Sequence, residues 1–156
     1  MSLAFRLAAA ADHEPLTALV LASFAPITWQ KPLDERYGPL NGCDWQARWR
    51  LRLEKIYATQ VVLVGEAEGE LAAMASAAID AAAALAYLDV LAVGPAWQGR
   101  GYGRQMLRGM LDHLRSRGCQ YVHLDCLTNN EAGNALYASE GFEEVARHIR
   151  WFRKLD

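Results

Sequence analysis

Between Gln98 and Arg104 the chain reads Gln-Gly-Arg-Gly-Tyr-Gly-Arg, three glycines and two arginines directly before a helical pattern. Such a stretch suits an anion. The first N–H groups of a helix have no partner within it, and the positive end of its dipole favours negative charge. Gly99, Gly101 and Gly103 allow unusual backbone angles and close approach of a phosphate to the main chain. Arg100 and Arg104 add charge where a pyrophosphate would lie. A P-loop would place Lys and Ser or Thr after the glycines, and the residues there are Tyr102, Gly103 and Arg104. A dinucleotide fingerprint starting at Gly99 would need Gly or Ala at 104 and a place near the chain start. A glycine-rich turn that holds no ligand stays open at this point.

Three further sets of residues could do chemistry. Asn130, Asn134 and Tyr137 recur at four and three residues and share one helix face. Two amides and a phenol on one stripe make poor core unless they have partners. Asp89 is the one charged residue in Leu85–Val93, where a lone carboxylate is costly unless paired or functional. His123 and Asp125 alternate onto one face of the following strand and are runners-up for acid–base work. Cys43, Cys119 and Cys126 fit neither a disulfide framework nor a zinc site, so no metal site is expected.

The elements that must position these residues follow from periodicity and punctuation. Ala4–Ala8 reads as a strand. Asp12 is expected to cap a helix running to about Phe24, stopped by Pro26. Pro26–Asp44 reads as an irregular loop, after which Asp44 caps a helix over Trp45–Tyr57. Trp45 and Trp49 share a face of that helix, and one of them is expected in the core. Val61–Glu66 and Leu71–Ile79 flank a turn at Glu68–Glu70 and read as a hairpin. Leu85–Val93 is apolar almost throughout, hence a central strand. Gly101–Gly118 is an amphipathic helix, with Met106, Leu107, Met110, Leu111 and Leu114 on one side. Tyr121–Leu127, Asn130–Glu140 and Val145–Leu155 follow as strand, short helix and final strand. The expected architecture is one α/β domain over residues 1–156. Its mixed, mostly antiparallel sheet has six or seven strands, with helices on both faces.

Bulk properties narrow the function classes. The 156 residues are 53% apolar and 22% charged, an ordinary globular composition. A net charge of −2 gives no general excess of basic residues for nucleic acid. The apolar stretch Ile79–Val93 is too short and too interrupted by Asp80 and Asp89 to span a membrane. Met1–Arg6 shows no secretory pattern, and the cysteine usage fits a reducing compartment, so a cytoplasmic location is expected.

At this point the chain resembles the GNAT superfamily of acetyltransferases. Gln98-x-x-Gly101-x-Gly103 matches its Gln/Arg-x-x-Gly-x-Gly/Ala signature between a strand and a long helix. Asn130, Leu136-Tyr137 and Gly141-Phe142 are similar to its downstream "Asn…Leu-Tyr…Gly-Phe" element. The resemblance is specific over about Tyr87–Phe142; upstream it is an order of elements only.

The resemblance implies that acetyl-CoA is the acyl donor, held by Gln98 to Arg104 including Tyr102. Asn130 would bond the pantetheine arm, Asn134 the pantetheine or a nearby phosphate, and Tyr137 would sit by the sulfur. Leu91, Ala92 and Val93 would line the donor, with backbone N–H groups near Leu91 and Val93 polarising the thioester carbonyl. Tyr137 would then be the general acid for the departing thiolate, and Asp89 a base acting through water or a group that holds the acceptor. The acceptor would be a small-molecule or peptide amine, walled by the Trp29–Trp49 region, with Trp29, Tyr37, Asp89 and Asp125 as contacts. Attack is expected to be direct, since Cys126 lacks the histidine partner an acyl-cysteine route needs. A non-catalytic acyl-CoA sensor or interaction module is the alternative. The final strand offers an edge for pairing with a second copy.

Overall fold

The computed structural model describes residues 2–156. β1 (Ala4–Leu7), α1 (His13–Phe24), α2 (Gln30–Tyr37), α3 (Trp45–Thr59), β2 (Val61–Ala67), β3 (Glu70–Asp80), β4 (Leu85–Val93), α4 (Tyr102–Ser116) and β5 (Tyr121–His123) precede α5 (Glu131–Ser139). Packing divides the chain into two compact units, one ending at Asp125 and one beginning at Cys126.

In the first unit the strands lie in the order β1-β2-β3-β4-β5. The first three pairings are antiparallel and β4–β5 is parallel. The sheet is mixed and mostly antiparallel, as expected, but it has five strands rather than six or seven. Of the six strands placed by position, one is shortened and one is absent. Tyr121–Leu127 pairs only through His123, because its ladder with β4 ends at Tyr87↔His123. Val145–Leu155 forms no strand. It pairs with no strand among the described residues, and its Val145, Ile149, Trp151 and Leu155 are all strongly exposed.

Helices cover both faces of the sheet. Leu16, Val20 and Leu21 of α1 and Trp45, Trp49, Leu53 and Ile56 of α3 pack with Val62, Val64, Met74, Val90 and Ala92. Both tryptophans therefore belong to the core. On the opposite face α4 buries Met106, Leu107, Met110 and Leu114. Each such side chain contributes about 1.5–3 kcal/mol by leaving water. The approach is close: a Cβ on Gly109 would lie 2.6 Å from Phe5 Cζ, and one on Gly65 2.9 Å from Leu3 Cδ1.

Local chemistry departs from expectation twice more. Pro26–Asp44 is not wholly irregular, since it contains α2. Pro32 sits in the first turn of that helix, where its missing N–H costs nothing. Asp34 of α2 accepts from Trp45 N at 2.5 Å and pairs with Arg48 at 2.9 Å, which ties α2 to α3. Asp12 makes no side-chain cap on α1. Instead it accepts the Arg6 fork at 2.7 and 2.9 Å and Ala9 N at 2.7 Å. Asp44 does cap α3, accepting from Ala47 N at 2.7 Å.

In the second unit α5 starts at Asn130, whose Oδ1 accepts from Gly133 N at 3.1 Å. A Cβ on Gly133 would lie 2.6 Å from the Asn130 amide, so a larger residue there would displace this cap. Gly141, at φ 89°, stops the helix.

Candidate functional site

β4 runs into the glycine loop through a tight turn over Pro95–Trp97, closed by Trp97 N donating to Gly94 O at 2.8 Å. Gln98 folds back and its Nε2 donates to Val93 O at 3.0 Å, which fixes the loop on the strand end. Gly99 and Gly101 take φ of 77° and 79°, left-handed values that other residues adopt at a cost of about 1–2 kcal/mol. A Cβ on either glycine would meet nothing within 4 Å, so the backbone faces open space. Gly101 begins α4 with no side-chain cap, which leaves the first-turn N–H groups available. Arg100 holds its guanidinium 5.0 Å from the Trp97 ring centre. Tyr102 is buried, so it can offer a ligand only its backbone. This loop fits a pyrophosphate: donors, positive charge and room coincide.

Leu91, Ala92 and Val93 pair on one side with Ala75, Met74 and Ala73 of β3. On the other side the β5 ladder has already ended at Tyr87. The C-terminal half of β4 therefore presents an edge that no strand pairs with among the described residues.

Asp89 lies at the point of irregularity. Ser76 pairs with Val90 and Ala77 with Leu88, so Asp89 has no partner on β3 and bulges. Its side chain is only 10% exposed, yet both oxygens are engaged. Arg52 Nη2 of α3 donates to Oδ1 in an ion pair, and Gln60 Nε2 donates to Oδ2 at 2.7 Å. Gln60 adjoins β2, two strands from β4, and strands lie about 4.8 Å apart. The two side chains thus reach toward each other across β3. Arg52 is also held by Trp49, 4.5 Å below its guanidinium.

Beside this group lies a second one. Tyr87 OH donates to Asp125 Oδ2 at 3.2 Å, and the His123 ring tilts against the Tyr87 ring at 5.0 Å. The Tyr87 phenol is pushed up to about 12, first by burial, then by the Asp125 and Asp89 charges. Tyr87, Arg52 and Gln60 enter the site without a sequence expectation. Tyr87 carried a legible signal, a phenol two residues before the lone carboxylate. Arg52 and Gln60 are 37 and 29 residues from Asp89, beyond any local pattern.

The second unit holds the remaining expected residues. Asn134 Nδ2 donates to Leu127 O at 2.9 Å and Asn130 O at 3.0 Å. Both asparagines thus spend part of their capacity on the helix start itself. Tyr137 packs its ring edge-on to Phe142 at 5.7 Å, and burial pushes its phenol well above the ordinary range. Burial also raises the Cys126 thiol, which lies 4.0 Å from Asn130 O. On the expected acceptor side, Trp29 precedes α2 and Tyr37 ends it, both partly exposed, with Arg36 5.2 Å from the Tyr37 ring. No metal-ligating cluster occurs among the described residues, and no helix there is long and apolar enough to cross a membrane.

An anion cradle at the end of a central strand, next to an edge from which the neighbouring strand has parted, defines a cofactor-binding α/β protein. The particular family follows from residues 25–142, which match the model of the acetyltransferase (GNAT) family; the chain belongs to that family. It is 44% identical over 66 residues to the N-alpha-acetyltransferase RimI of Mycobacterium tuberculosis, a match spanning 42% of this chain and 40% of that one. It is 42% identical over 69 residues to a mycothiol acetyltransferase of Beutenbergia cavernae, spanning 44% and 23%. The chain thus spans less than half the length of these curated relatives. Among solved structures, the ribosomal-protein-S18-alanine N-acetyltransferase of Escherichia coli superposes with a TM-score of 0.69 at 21% identity, covering 92% of this chain and 79% of that one. The aminoglycoside acetyltransferase AAC(6')-Iy, solved with a bisubstrate analogue, gives 0.68 at 16%, covering 99% and 100%. At these identities the two structures speak for the fold.

Proposed function

We propose that this chain transfers an acetyl group from acetyl-CoA to an amine by direct attack. The observation that carries the reading is the open Gly99–Gly101 cradle at the start of α4, in a chain that belongs to the GNAT family. The backbone from Gln98 to Arg104, with the Arg100 and Arg104 side chains, would hold the pyrophosphate. Asn130 Nδ2 and Asn134 Oδ1, the amide atoms not spent on the start of α5, would serve the pantetheine arm. Bound there, acetyl-CoA supplies an activated thioester. Leu91 and Val93 would offer backbone N–H groups to its carbonyl, with Ala92 between them. Tyr137, kept protonated by its raised pKa, would donate its proton to the departing sulfur. The Cys126 thiol, also raised, is a poor nucleophile, which favours direct transfer over an acyl-cysteine.

An acceptor ammonium must lose a proton before it attacks. Asp89 and Asp125 are the two carboxylates at the β4–β5 opening. Asp89 has a cation on one oxygen and an amide on the other, so neither oxygen is left to accept a proton from the acceptor. We assign it to holding Arg52 and any bridging water in place, which leaves the acceptor's charge to Asp125. Asp125 accepts only from the Tyr87 hydroxyl and is free on its other oxygen, so we assign proton removal to Asp125. Trp29 and Tyr37 would wall the acceptor, a small-molecule or peptide amine; the N-alpha-acetyltransferase relative supports the peptide case.

A direct test is thermal stabilisation by acetyl-CoA in excess, with inorganic phosphate as control. Saturation to about 100 times Kd adds about 2.7 kcal/mol. That raises Tm by several degrees, at about 2–4 °C per kcal/mol for a chain of this size. Stabilisation no greater than that given by phosphate overturns the reading.

A further inference from the structure

The charges around the β4–β5 opening add to a definite sum. Asp125 accepts from the Tyr87 hydroxyl at 3.2 Å, and Asp89, two residues further along the same strand as Tyr87, is paired to Arg52. His123 lies against the same ring. Arg52 is not a loose surface cation. It is paired to Asp89 on one side and stacked on the buried Trp49 on the other. With 43% of its side chain exposed, it faces solvent at the mouth of the opening. Two carboxylates and one guanidinium leave a single uncompensated negative charge, and that charge belongs to Asp125.

We propose that Arg52 is a specificity-determining residue: by cancelling Asp89 it matches the acceptor side to an amine carrying one positive charge. The inference rests on the acetyl-transfer reading given above. A monoamine finds one carboxylate for its one ammonium. A diamine presents a second ammonium, which meets Asp89 already neutralised and Arg52 repelling it. Substituting Arg52 exposes the second carboxylate and converts the mouth into a site for dications.

The test compares kcat/KM for hexylamine and 1,6-diaminohexane at low ionic strength in the wild type, Arg52→Gln and Arg52→Lys. The diamine-to-monoamine ratio is independent of the fraction of folded enzyme. The ratio should rise roughly five-fold in Arg52→Gln, the size expected of a partly exposed ion pair. It should return toward the wild-type value in high salt and stay near that value in Arg52→Lys. An unchanged ratio in Arg52→Gln, or an equal rise in the Lys variant, overturns the proposal. Should Arg52→Gln fail to fold, Asp89→Asn gives the converse: Arg52 is left unopposed and the ratio must fall below wild type, an unchanged ratio again overturning the proposal. A wild type that acetylates neither amine while acetyl-CoA still stabilises it overturns this inference alone; one that acetyl-CoA stabilises no more than phosphate does overturns the acetyl-transfer reading, and this inference with it. Turnover of both amines with a ratio fixed across the variants overturns the inference alone.

Discussion

Replacing Asp125 by Asn separates proton removal from placement, because the two effects appear in different measurements. The amide keeps the shape of the carboxylate and can still accept from Tyr87 OH, now 3.2 Å from Asp125 Oδ2. It cannot take a proton. Loss of a positioned general base costs about 10²- to 10⁴-fold, or about 3–5 kcal/mol of barrier. That loss should appear in kcat/KM for the amine, measured as thiol release, with the KM for acetyl-CoA little changed. The second readout is Tyr87 itself, whose phenol is pushed up to about 12. Burial is the largest cause, followed by the Asp125 charge and then that of Asp89. Both charges oppose phenolate formation, so removing one must lower the titration midpoint. Burial and Asp89 remain, so the midpoint stays above the ordinary value of about 10. The assay is tyrosinate absorbance through the alkaline range, with Tyr87→Phe subtracting the other five of the six tyrosines. A Tyr87 midpoint that falls while kcat/KM stays within about three-fold of wild type would refute the base assignment, since the charge would then be gone without loss of catalysis.

Three further outcomes are expected. Tyr137→Phe should lower kcat about ten- to a hundred-fold with acetyl-CoA binding retained; turnover equal to wild type at every pH removes the acid role. Cys126→Ser should leave kcat within about two-fold, and trapping of an acetylated Cys126 in quenched enzyme would contradict direct transfer. Asp12→Asn should cost about 1–2 kcal/mol near neutral pH, discounted because its Arg6 partner is partly exposed. Asp12 is held down to about 2 by Arg6 and by Ala9 N–H. Its contribution is therefore present above the unfolded value near 4 and lost as pH falls toward 2. Chemical denaturation of both proteins should show the gap closing over that interval; a constant gap would contradict the linkage.

The elements legible in the sequence were those whose signal is local. Met106, Leu107, Met110 and Leu114 state a helix at helical spacing, and α4 is that helix. The hairpin of β2 and β3 follows from two apolar runs and Gly69, which takes φ 79°. What failed was non-local. The length of β5 depends on where β4 stops accepting it, which no pattern within Tyr121–Leu127 records. Likewise Val145–Leu155 carries enough β-branched and aromatic residues to read as a strand, but a strand is a relation between two segments, and its large side chains stay exposed. The short α2 was hidden by the prolines and glycines of Pro26–Asp44, which read as loop until Pro32 is seen to occupy a first turn.

Asp89 shows the same limit within the site. A lone carboxylate in an apolar strand is costly, and the inference that something must offset the cost was sound. The sequence could not say whether the offset is chemical use or a partner. Two side chains from outside the sheet supply the partner: Arg52, three residues beyond the core Trp49 on which it stacks, and Gln60, the residue that ends α3. Each is placed by the packing of α3, not by anything near residue 89. The bulge makes the arrangement possible: Val90 pairs with Ser76 and Leu88 with Ala77, so the two buried residues fall on opposite faces, and Asp89, left without a cross-strand partner, can turn its side chain toward α3. A lone buried carboxylate therefore predicts a partner more securely than it predicts a role. Asp125, exposed and unremarkable by burial, has one oxygen engaged by the Tyr87 hydroxyl, and the proposed proton removal rests on the other.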